Sequence, residues 1–463
     1  MAYNFLPGFE VSVRDGGLVV PRPDFETGSL LIIGPQDPAS SEDQRVSPMW
    51  IGGQDAFRDN IGSTTASNPL YQAWKQAIDA GCNDVRVLEL CGTDTDTQYE
   101  NLHQIYLHLE DYEVDAVVVT GIYADDLVID PTLPEGTEVD YVMHVPATFE
   151  KVEDEELGTG DGTQVEFQLQ NAPVAREDLF VYLDGTATTA YTIDYLTGDV
   201  ALDEAPGEGV NITASYNHAK RGIAGQLAGF CKVVSSRVSQ TLGFVALAPA
   251  SDNDLVTIRQ YVNGLETQKF DGLLQVVAGP QVRFSVQDGS TYPSSGIAAY
   301  AAQTVMLPAQ SSPTNKVLPG AGSLTYNLSP AQLNELCSKN IVTFRTKAGR
   351  IVVTDAVTTA GQESDLTRLT TMRIVNEAVQ SVRTVADPFI GEPNETPQRT
   401  ALNTAIRSAL DAMVQAGALR SFRFSMSSSL QDFISGRMQI DLELVPAFEL
   451  RKITTTVSLR PSL

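Results

Sequence analysis

The sequence predicts a multidomain α+β protein. It has an α/β core, an inserted all-β domain, a carboxy-terminal α+β domain, and an extended arm at each end. Three observations predict this class. Segments with strand and helix patterns alternate over residues 28–122 and again over 243–278. Short alternating runs, separated by turn signals and with no helix between them, fill residues 150–216. A capped amphipathic helix followed by runs of period two occupies residues 396–463.

Length and composition support a globular protein with more than one core. The chain has 463 residues, of which 42% are hydrophobic and 19% are charged, and this length predicts two to four domains. No apolar run approaches the length of a membrane span, and the first residues lack the basic flank of a secretory signal. The formal net charge of −27 argues against binding to nucleic acid or to an anionic membrane.

Residues 1–24 are predicted to be an extended arm. Phe9, Val11 and Val13 alternate with polar residues, as in a short strand, and glycines and prolines after residue 15 interrupt any regular element. An apolar arm with no helix to cover it must pair with a sheet, either its own or that of a neighbour.

The core is predicted over residues 25–150 and 219–325. Strands are expected at 28–34, 84–90, 114–122, 243–248 and 273–278, and helices at 68–81, 102–109 and 255–265. The helix at 68–81 begins with the capping pair Asn68-Pro69 and ends at Gly81. Residues 280–325 contain five prolines and are expected to be rich in loops.

Residues 151–218 are predicted to form an inserted β-sandwich or small barrel that faces outward. Residues 150–216 hold 15 acidic and 2 basic residues, which indicates a solvated surface. Glycines 158, 160 and 162 follow an acidic run and precede a strand, so they predict a turn rather than a nucleotide-binding loop.

The carboxy-terminal domain is predicted over residues 326–452. A short helix starts at Ser329-Pro330, a hairpin turns at residues 347–349, and a long helix runs from residue 369 to Asp387-Pro388. A second helix is expected to have Thr396 as its N-cap, Pro397 at its first helical position and Gly417 as its left-handed end.

Two alternating runs near the carboxy terminus predict a pair of half-buried strands. The first contains Met438, Ile440, Leu442 and Leu444, and the second, in the arm at 453–463, contains Ile453, Val457 and Leu459. Residues 396–463 hold 8 basic and 5 acidic residues, in contrast to the acidic insert.

No catalytic, cofactor or metal site is predicted. The chain has no G-x-x-x-x-G-K-[ST] loop and no G-x-S-x-G elbow. Its four cysteines are far apart and are interpreted as reduced thiols, and its four histidines lack metal-ligand spacing.

The order of several motifs resembles that of tail sheath proteins of contractile-tailed bacteriophages and of the related R-type bacteriocins. The matching features are the opening Pro7-Gly8-Phe9, the Pro293 to Ala298 segment with Leu307-Pro308-Ala309, the segment from Leu333 through the hairpin to the helix at Leu369, and the terminal block from Thr396 to Leu459. The resemblance covers residues 1–35 and 240–463 well and 36–150 more loosely. It does not include the insert.

This resemblance implies a structural subunit without enzymatic activity or cofactor. Such subunits polymerise as stacked six-fold rings around an inner tube and contract from a metastable extended state, which drives the tube through the target envelope. The implied partners are further copies of the chain, the tail tube protein, and the baseplate and tail terminator proteins, with no nucleic acid and no direct membrane binding. The implied location is the virion tail, after assembly in the host cytoplasm. Another phage structural protein, such as a baseplate or adhesin subunit, is the alternative, and an α/β enzyme is a more distant one.

Two hypotheses about subunit contacts follow from the sequence. Arms from two neighbours are expected to pair with the strand at 437–445, through Phe9, Val11 and Val13 of one arm and Ile453, Val457 and Leu459 of the other. The basic terminal domain is expected to face the tube, with Arg399, Arg407 and Arg423 as the candidate contacts.

Overall fold

The computed structural model describes residues 28–35, 44–92, 95–124, 149–171, 174, 179–193, 198–219, 223–265, 272–285, 290–361, 364–428 and 436–451. Both predicted arms, with Phe9, Val11, Val13, Ile453, Val457 and Leu459, lie outside these ranges. Among the described helices, none is long and apolar enough to cross a membrane.

The first part of the fold contains buried strands connected by helices. Its elements are β1 (Ser29–Pro35), β2 (Met49–Trp50), α1 (Gln54–Asn60), α2 (Pro69–Asp79), β3 (Asp84–Leu90), α3 (Thr95–His108) and β4 (Ala116–Val119). All of β4 and all but the ends of β1 are buried, as expected for strands covered on both faces. Asn68 caps α2 by accepting hydrogen bonds from the N–H groups of Leu70 and Tyr71, so the predicted helix start is confirmed.

The insert consists of two antiparallel sheets around a core of its own. Its strands are β5 (Phe149–Thr159), β6 (Glu166–Gln168), β7 (Phe180–Leu183), β8 (Thr186–Thr188), β9 (Tyr191–Ile193), β10 (Asp199–Leu202) and β11 (Asn211–Ala219). One sheet has the order β6-β10-β9 and the other β5-β11-β7-β8. The acidic run is part of β5, a strand that the sequence analysis did not predict. Asp154 has a positive φ of 53° there, and two register shifts interrupt the pairing of β5 with β11, so the regular alternation is lost.

A six-stranded sheet is completed after the insert. The next elements are α4 (Ile223–Arg237), β12 (Leu242–Ala246), α5 (Leu255–Gly264), β13 (Leu274–Val277), β14 (Val282–Ser285), β15 (Thr291–Ser294), α6 (Ile297–Met306) and β16 (Ala321–Leu324). The sheet order is β13-β12-β4-β1-β3-β2, and all pairs are parallel except that of the edge strand β2 with β3. The insert therefore leaves the sheet after β4, and the chain returns through α4 to the neighbouring strand β12.

Close packing of α4 on this sheet depends on one glycine. A Cβ atom at Gly243 in β12 would lie 2.8 Å from Leu227 Cγ and 3.0 Å from Cys231 Sγ, both on α4. These distances are shorter than a van der Waals contact, so a side chain at this position would push α4 away from the sheet.

The expectation that residues 280–325 are rich in loops holds for residues 307–320, which lie outside any helix or strand, but the segment also contains regular elements that were not predicted. These elements are the sheet β15-β14-β16 and the helix α6. Pro293 lies in the edge strand β15, where a missing N–H is tolerated. The sequence Ile297–Met306 is apolar on nearly all sides, and eight of its residues are buried. Helices buried on all sides have no polar face, so periodicity does not reveal them.

The last described part contains α7 (Pro330–Ser338), β17 (Phe344–Lys347), β18 (Arg350–Val353), α8 (Leu369–Ala386), α9 (Thr396–Gln415), β19 (Leu419–Ser427) and β20 (Gln439–Pro446). The predicted hairpin and the two long helices are confirmed, and Gly417 after α9 has a left-handed φ of 64°. Thr396, however, is the first residue of α9 and not its N-cap. The N-cap is Glu395, because its carbonyl accepts the first helical hydrogen bond, from the N–H of Arg399.

Two hydrophobic cores meet in α8. The larger core includes the central sheet, α6, β17 and β18, and it ends with Leu369 and Met372 of α8. The smaller core begins with Ile374 of the same helix and includes Ile406, Leu410 and Met413 of α9. The predicted domain boundary at residue 326 stays a prediction. In the structure, the chain passes from the larger core to the smaller one within α8.

Candidate functional site

A two-stranded sheet forms the outer layer of the smaller core. β19 and β20 are antiparallel, with Phe422 opposite Leu444, Phe424 opposite Leu442, and Met426 opposite Ile440. These apolar side chains and Met438 share one face and pack against the core of α8 and α9. The other face carries Arg423, Ser425, Asp441 and Glu443, which are exposed. The alternation is that of a sheet with one dry and one solvated face.

Both outer edges of this sheet are open in the described part of the chain. β19 has only β20 as a strand partner there, and β20 has only β19. The strands have 9 and 8 residues, so each presents a long row of backbone N–H and C=O groups to a further strand. Long, unprotected edges of this kind are sites for strand addition.

The structure pairs the run from Met438 to Leu444 with a different segment from the one expected. Its partner is Leu419–Ser427, whereas the run from Ile453 to Leu459 lies outside the described residues. β19 has an alternating pattern of Phe422, Phe424 and Met426 with Arg423 and Ser425. This pattern was the signal available in the sequence, and the sequence analysis assigned no strand to it.

The three arginines proposed as tube contacts lie on the same unit but have different surroundings. Arg399 in α9 donates hydrogen bonds to Asn394 Oδ1 (2.7 Å) and Ser428 Oγ (3.2 Å). Arg407, also in α9, lies 5.2 Å from the ring centroid of Phe424, a cation–π distance. Arg423 is on the solvated face of the sheet and pairs with Glu443 at 3.0 Å. Their role in binding a tube stays a prediction.

A buried ion cluster fixes the segment that follows β20, which we call the arm root (residues 447–451). Arg368 donates from Nη1 to Asp355 Oδ2 (3.0 Å) and from Nε to Glu449 Oε1 (2.7 Å), and its Nη2 contacts both carboxylates. Arg451 Nη2 donates to Asp355 Oδ2 at 2.5 Å. Ala447 of the arm root belongs to the smaller core, and the cluster ties the rest of the arm root to the larger core.

Electrostatics favour the charged state of this cluster. Burial alone would raise the pKa of Asp355, but hydrogen bonds from Arg368 and the charges of Arg368 and Arg451 outweigh it and hold the pKa below its usual range. Sequence analysis did not single out these residues, because Asp355, Arg368 and Glu449 are distant in the chain and belong to no motif.

The described residues include no group of three or more side chains suited to a metal ion. Cys82, Cys231 and Cys337 are free thiols. Burial raises the pKa of Cys82 and of Cys337 to about 11, and it raises that of the fully buried Cys231 further. Thiols with such pKa values are protonated at neutral pH and are poor nucleophiles.

Comparison with known proteins gives structural matches without sequence matches. No sequence family and no curated protein matches the chain. A chain from the cryo-EM structure of the six-fold symmetrised baseplate of the anti-feeding prophage has a TM-score of 0.57 and 12% identity, with 98% of this chain and 99% of that chain covered.

Two further matches are chains from contracted sheaths. One belongs to the helical sheath of the anti-feeding prophage in its contracted state, with a TM-score of 0.55, 11% identity and coverage of 98% and 99%. The other belongs to the contracted sheath complex of an extracellular contractile injection system, with a TM-score of 0.52, 11% identity and coverage of 99% of both chains. The chain has the fold of sheath proteins from contractile injection systems, as the sequence resemblance predicted.

Proposed function

We propose that this chain is the sheath subunit of a contractile injection machine. It polymerises as stacked six-fold rings around an inner tube and contracts to drive that tube through a target envelope. The observation that carries the proposal is its fold likeness, over 98% of its length, to a chain of a contracted helical sheath. The proposed location is the sheath of the assembled particle.

The energy for such a machine is stored in subunit packing. Extended and contracted sheaths are two arrangements of the same subunits, and the free-energy difference between them performs the work. No nucleotide hydrolysis is required, and we propose a non-enzymatic role.

Strand addition to the open sheet is proposed as the link between subunits. About half of the residues of an edge strand direct their N–H and C=O groups to the free side, and each backbone hydrogen bond formed there contributes about 0.5–1.5 kcal/mol. The donors are the runs with Phe9, Val11 and Val13 and with Ile453, Val457 and Leu459. Since β19 already occupies one edge of β20, only one arm can pair with β20 directly. The second must pair with β19 or with the first arm.

The charge distribution suggests the orientation of the subunit. We propose that the acidic insert faces outward and that the basic end of the chain faces the tube. Arg407 on α9 and Arg423 on the solvated face of the sheet are exposed, so both can reach a partner, and Arg399 on α9 is half-buried. The tube surface that they meet would be acidic. Baseplate and terminator proteins would cap the two ends of the polymer.

Deletion of either arm tests the proposal. Chains lacking residues 1–20 or residues 453–463 should stay folded and monomeric, while the full chain should form long, striated, hollow sleeves in negative-stain micrographs. A control variant with Trp50→Ala should still form sleeves. Trp50 is exposed and lies in β2, an edge strand of the central six-stranded sheet, which is separate from the sheet of β19 and β20. Normal sleeves from either deletion would contradict strand exchange, and no sleeves from the full chain under any condition would contradict the sheath function.

Charge reversal tests the orientation. The triple variant Arg399→Glu, Arg407→Glu and Arg423→Glu should fail to assemble on tubes but should still form sleeves without tubes. An unchanged yield of loaded tails would refute the assignment.

A baseplate subunit is the second candidate, because one of the matched chains comes from a baseplate structure. Copy number separates the two functions. A sheath protein is present in hundreds of copies per particle, and quantitative gel analysis against the tube protein would measure this ratio.

A further inference from the structure

A groove of about 1000 Å³ lies beside the arm root. One wall is α7, another is the hairpin of β17 and β18, and residues 449–451 of the arm root form the third side. Arg368, which directly precedes α8, pairs with two residues of the lining, Asp355 and Glu449. The groove is therefore fixed to the amino-terminal end of α8.

Three cations line this groove. Arg345 and Lys347 are on β17, and Arg451 is in the arm root. Arg345 Nη2 and Lys347 Nζ both donate to Asn315 Oδ1, at 3.2 and 2.8 Å. Neither has a carboxylate partner in the part of the chain that the structure describes. Both can therefore pair with a carboxylate that comes from outside.

The carboxylates of the lining do not neutralise these two cations. Arg368 binds both Asp355 and Glu449, and Arg451 also binds Asp355. These two arginines and two carboxylates balance one another, which leaves the charges of Arg345 and Lys347 in excess. The groove is thus positive, although the chain has a formal net charge of −27. A positively charged groove attracts an acidic segment.

The groove also has an apolar side. Leu328 and Leu333 lie in its lining, and Leu450 on the rim is 79% exposed. Exposed apolar surface next to polar residues is typical of an interaction site. A fitting occupant therefore has acidic side chains together with an apolar one.

The loop between α8 and α9 (residues 387–395), which we call the α8–α9 loop, has this composition. Asp387, Glu392 and Glu395 are all exposed, and Ile390 is an apolar side chain with 37% exposure. None of the three carboxylates forms an ion pair with a described residue. Arg399, on α9, donates to the side chain of Asn394 in the loop. The acidic groups of the loop are therefore available to a partner.

The α8–α9 loop has a defined shape before it meets a partner. The N–H of Ile390 donates to the carbonyl of Asp387 (3.0 Å), and the N–H of Glu392 donates to that of Phe389 (3.2 Å). Phe389 packs against the smaller core. A preformed loop of this kind loses little conformational freedom on docking.

A chain cannot place this loop in its own groove. α8 has 18 residues and is about 27 Å long. The groove is fixed to its first turn through Arg368, whereas the loop begins with Asp387, directly after its last residue. Because the two surfaces lie at opposite ends of one helix, they can meet only between different copies of the chain.

We infer that the α8–α9 loop of one copy docks in the groove of a second copy. Glu392 and Glu395 pair with Arg345 and Lys347, and Ile390 packs against the leucines. The two surfaces differ, so the contact is heterologous, and repetition of such a contact generates rings or open helical polymers. It is an interface in addition to the exchanged arms, and it rests on the loop and the groove alone.

Disulfide trapping between two full-length variants tests this contact. One variant carries Ile390→Cys and the other Asn334→Cys, an exposed position in the groove lining on α7. A disulfide between these two cysteines can form only between copies, and mass spectrometry identifies it after mild oxidation. Ala331→Cys, exposed on the same helix but outside the lining, replaces Asn334→Cys in the control and should give little of this product. High salt should slow the trapping, since exposed charges are screened.

Charge reversal tests the pairing in the same assay. Glu392→Lys with Glu395→Lys should slow trapping about tenfold, and so should Arg345→Glu with Lys347→Glu, because like charges then face each other. All four changes in both copies should restore trapping, since the charges are complementary again, and a folding defect could not give this rescue. Arg259→Glu, an exposed site on α5 outside the groove, should have no effect.

Three results would overturn the inference. They are the absence of the disulfide between positions 390 and 334, equal trapping with the control at Ala331, and failure of the four changes to rescue the two reversals. The outcome is separate from that of the sheath proposal. Trapping without sleeves from the full chain would support the loop–groove contact and contradict the sheath function, and sleeves without trapping would do the reverse.

Discussion

Removal of the central arginine from the ion cluster is expected to be strongly destabilising. Arg368 is the only cation that contacts both Asp355 and Glu449 in the described structure, and these carboxylates are 8% and 10% exposed. The substitution Arg368→Met keeps much of the aliphatic volume but removes the charge. Glu449 then loses its cation, and Asp355 keeps only Arg451.

The magnitude follows from the cost of buried, unpaired charges. Breaking a buried ion pair by removing one partner costs about 3–5 kcal/mol, and we expect Arg368→Met to lower the free energy of unfolding by an amount in this range. Arg423→Met is the matched control, since the Arg423–Glu443 pair has the same chemistry but exposures of 80% and 70%. Exposed pairs contribute at most about 1 kcal/mol.

Chemical denaturation followed by circular dichroism measures both values. Hydrogen exchange over residues 447–451 should also increase in Arg368→Met, because the arm root loses its anchor, while the control should leave it unchanged. If Arg368→Met is no more destabilising than Arg423→Met, the cluster does not hold the arm root as described.

Three further predictions concern other parts of the molecule. First, the lowered pKa of Asp355 means that its contribution to stability is complete above the usual aspartate pKa of about 3.9 and is lost as the pH falls through the lower folded value. The stability difference between the wild type and Asp355→Asn, measured by denaturation, should therefore shrink between pH 5 and the acid limit, and a constant difference would contradict the pairing. Second, Gly243→Ala should cost about 1–3 kcal/mol by overpacking against α4, and adding Leu227→Ala should cost less than the sum of the two single changes, as a double-mutant cycle would show. Strict additivity would refute the contact. Third, the Cys231 thiol should react with a thiol reagent only in denaturant, since it is fully buried and its pKa is raised. Rapid labelling of the native protein at this position, detected by mass spectrometry, would contradict its placement.

Local signals in the sequence predicted much of the core. Apolar runs predicted β1, β3, β12 and β13, because strands covered on both faces are apolar over several consecutive residues. Asn68 predicted the start of α2, because a helix cap is a local sequence signal. The helices α4 and α6 were missed. Each is buried on most sides, and such a helix has no amphipathic period to detect.

The candidate site was only partly predictable for a different reason. The face of β20 with Ile440 and Leu442 was apparent from its alternation, but the identity of its partner depends on which distant segment the fold brings alongside it. Similarly, Asp355, Arg368 and Glu449 come together only through the packing of the arm root on the larger core. Contacts between distant residues of this kind leave no spacing in the sequence.

The continuity of α8 has a mechanical consequence. This helix of 18 residues, about 27 Å long, supplies side chains to both cores, and Arg383 near its end donates hydrogen bonds to the carbonyls of Val238 (2.6 Å) and Ser235 (2.9 Å) at the end of α4. Twisting one core against the other would require this helix to unwind. Such a chain resists torsion internally. If it polymerises as proposed, a change of pitch or diameter of the polymer would have to be taken up between subunits, with each one turning as a single stiff body.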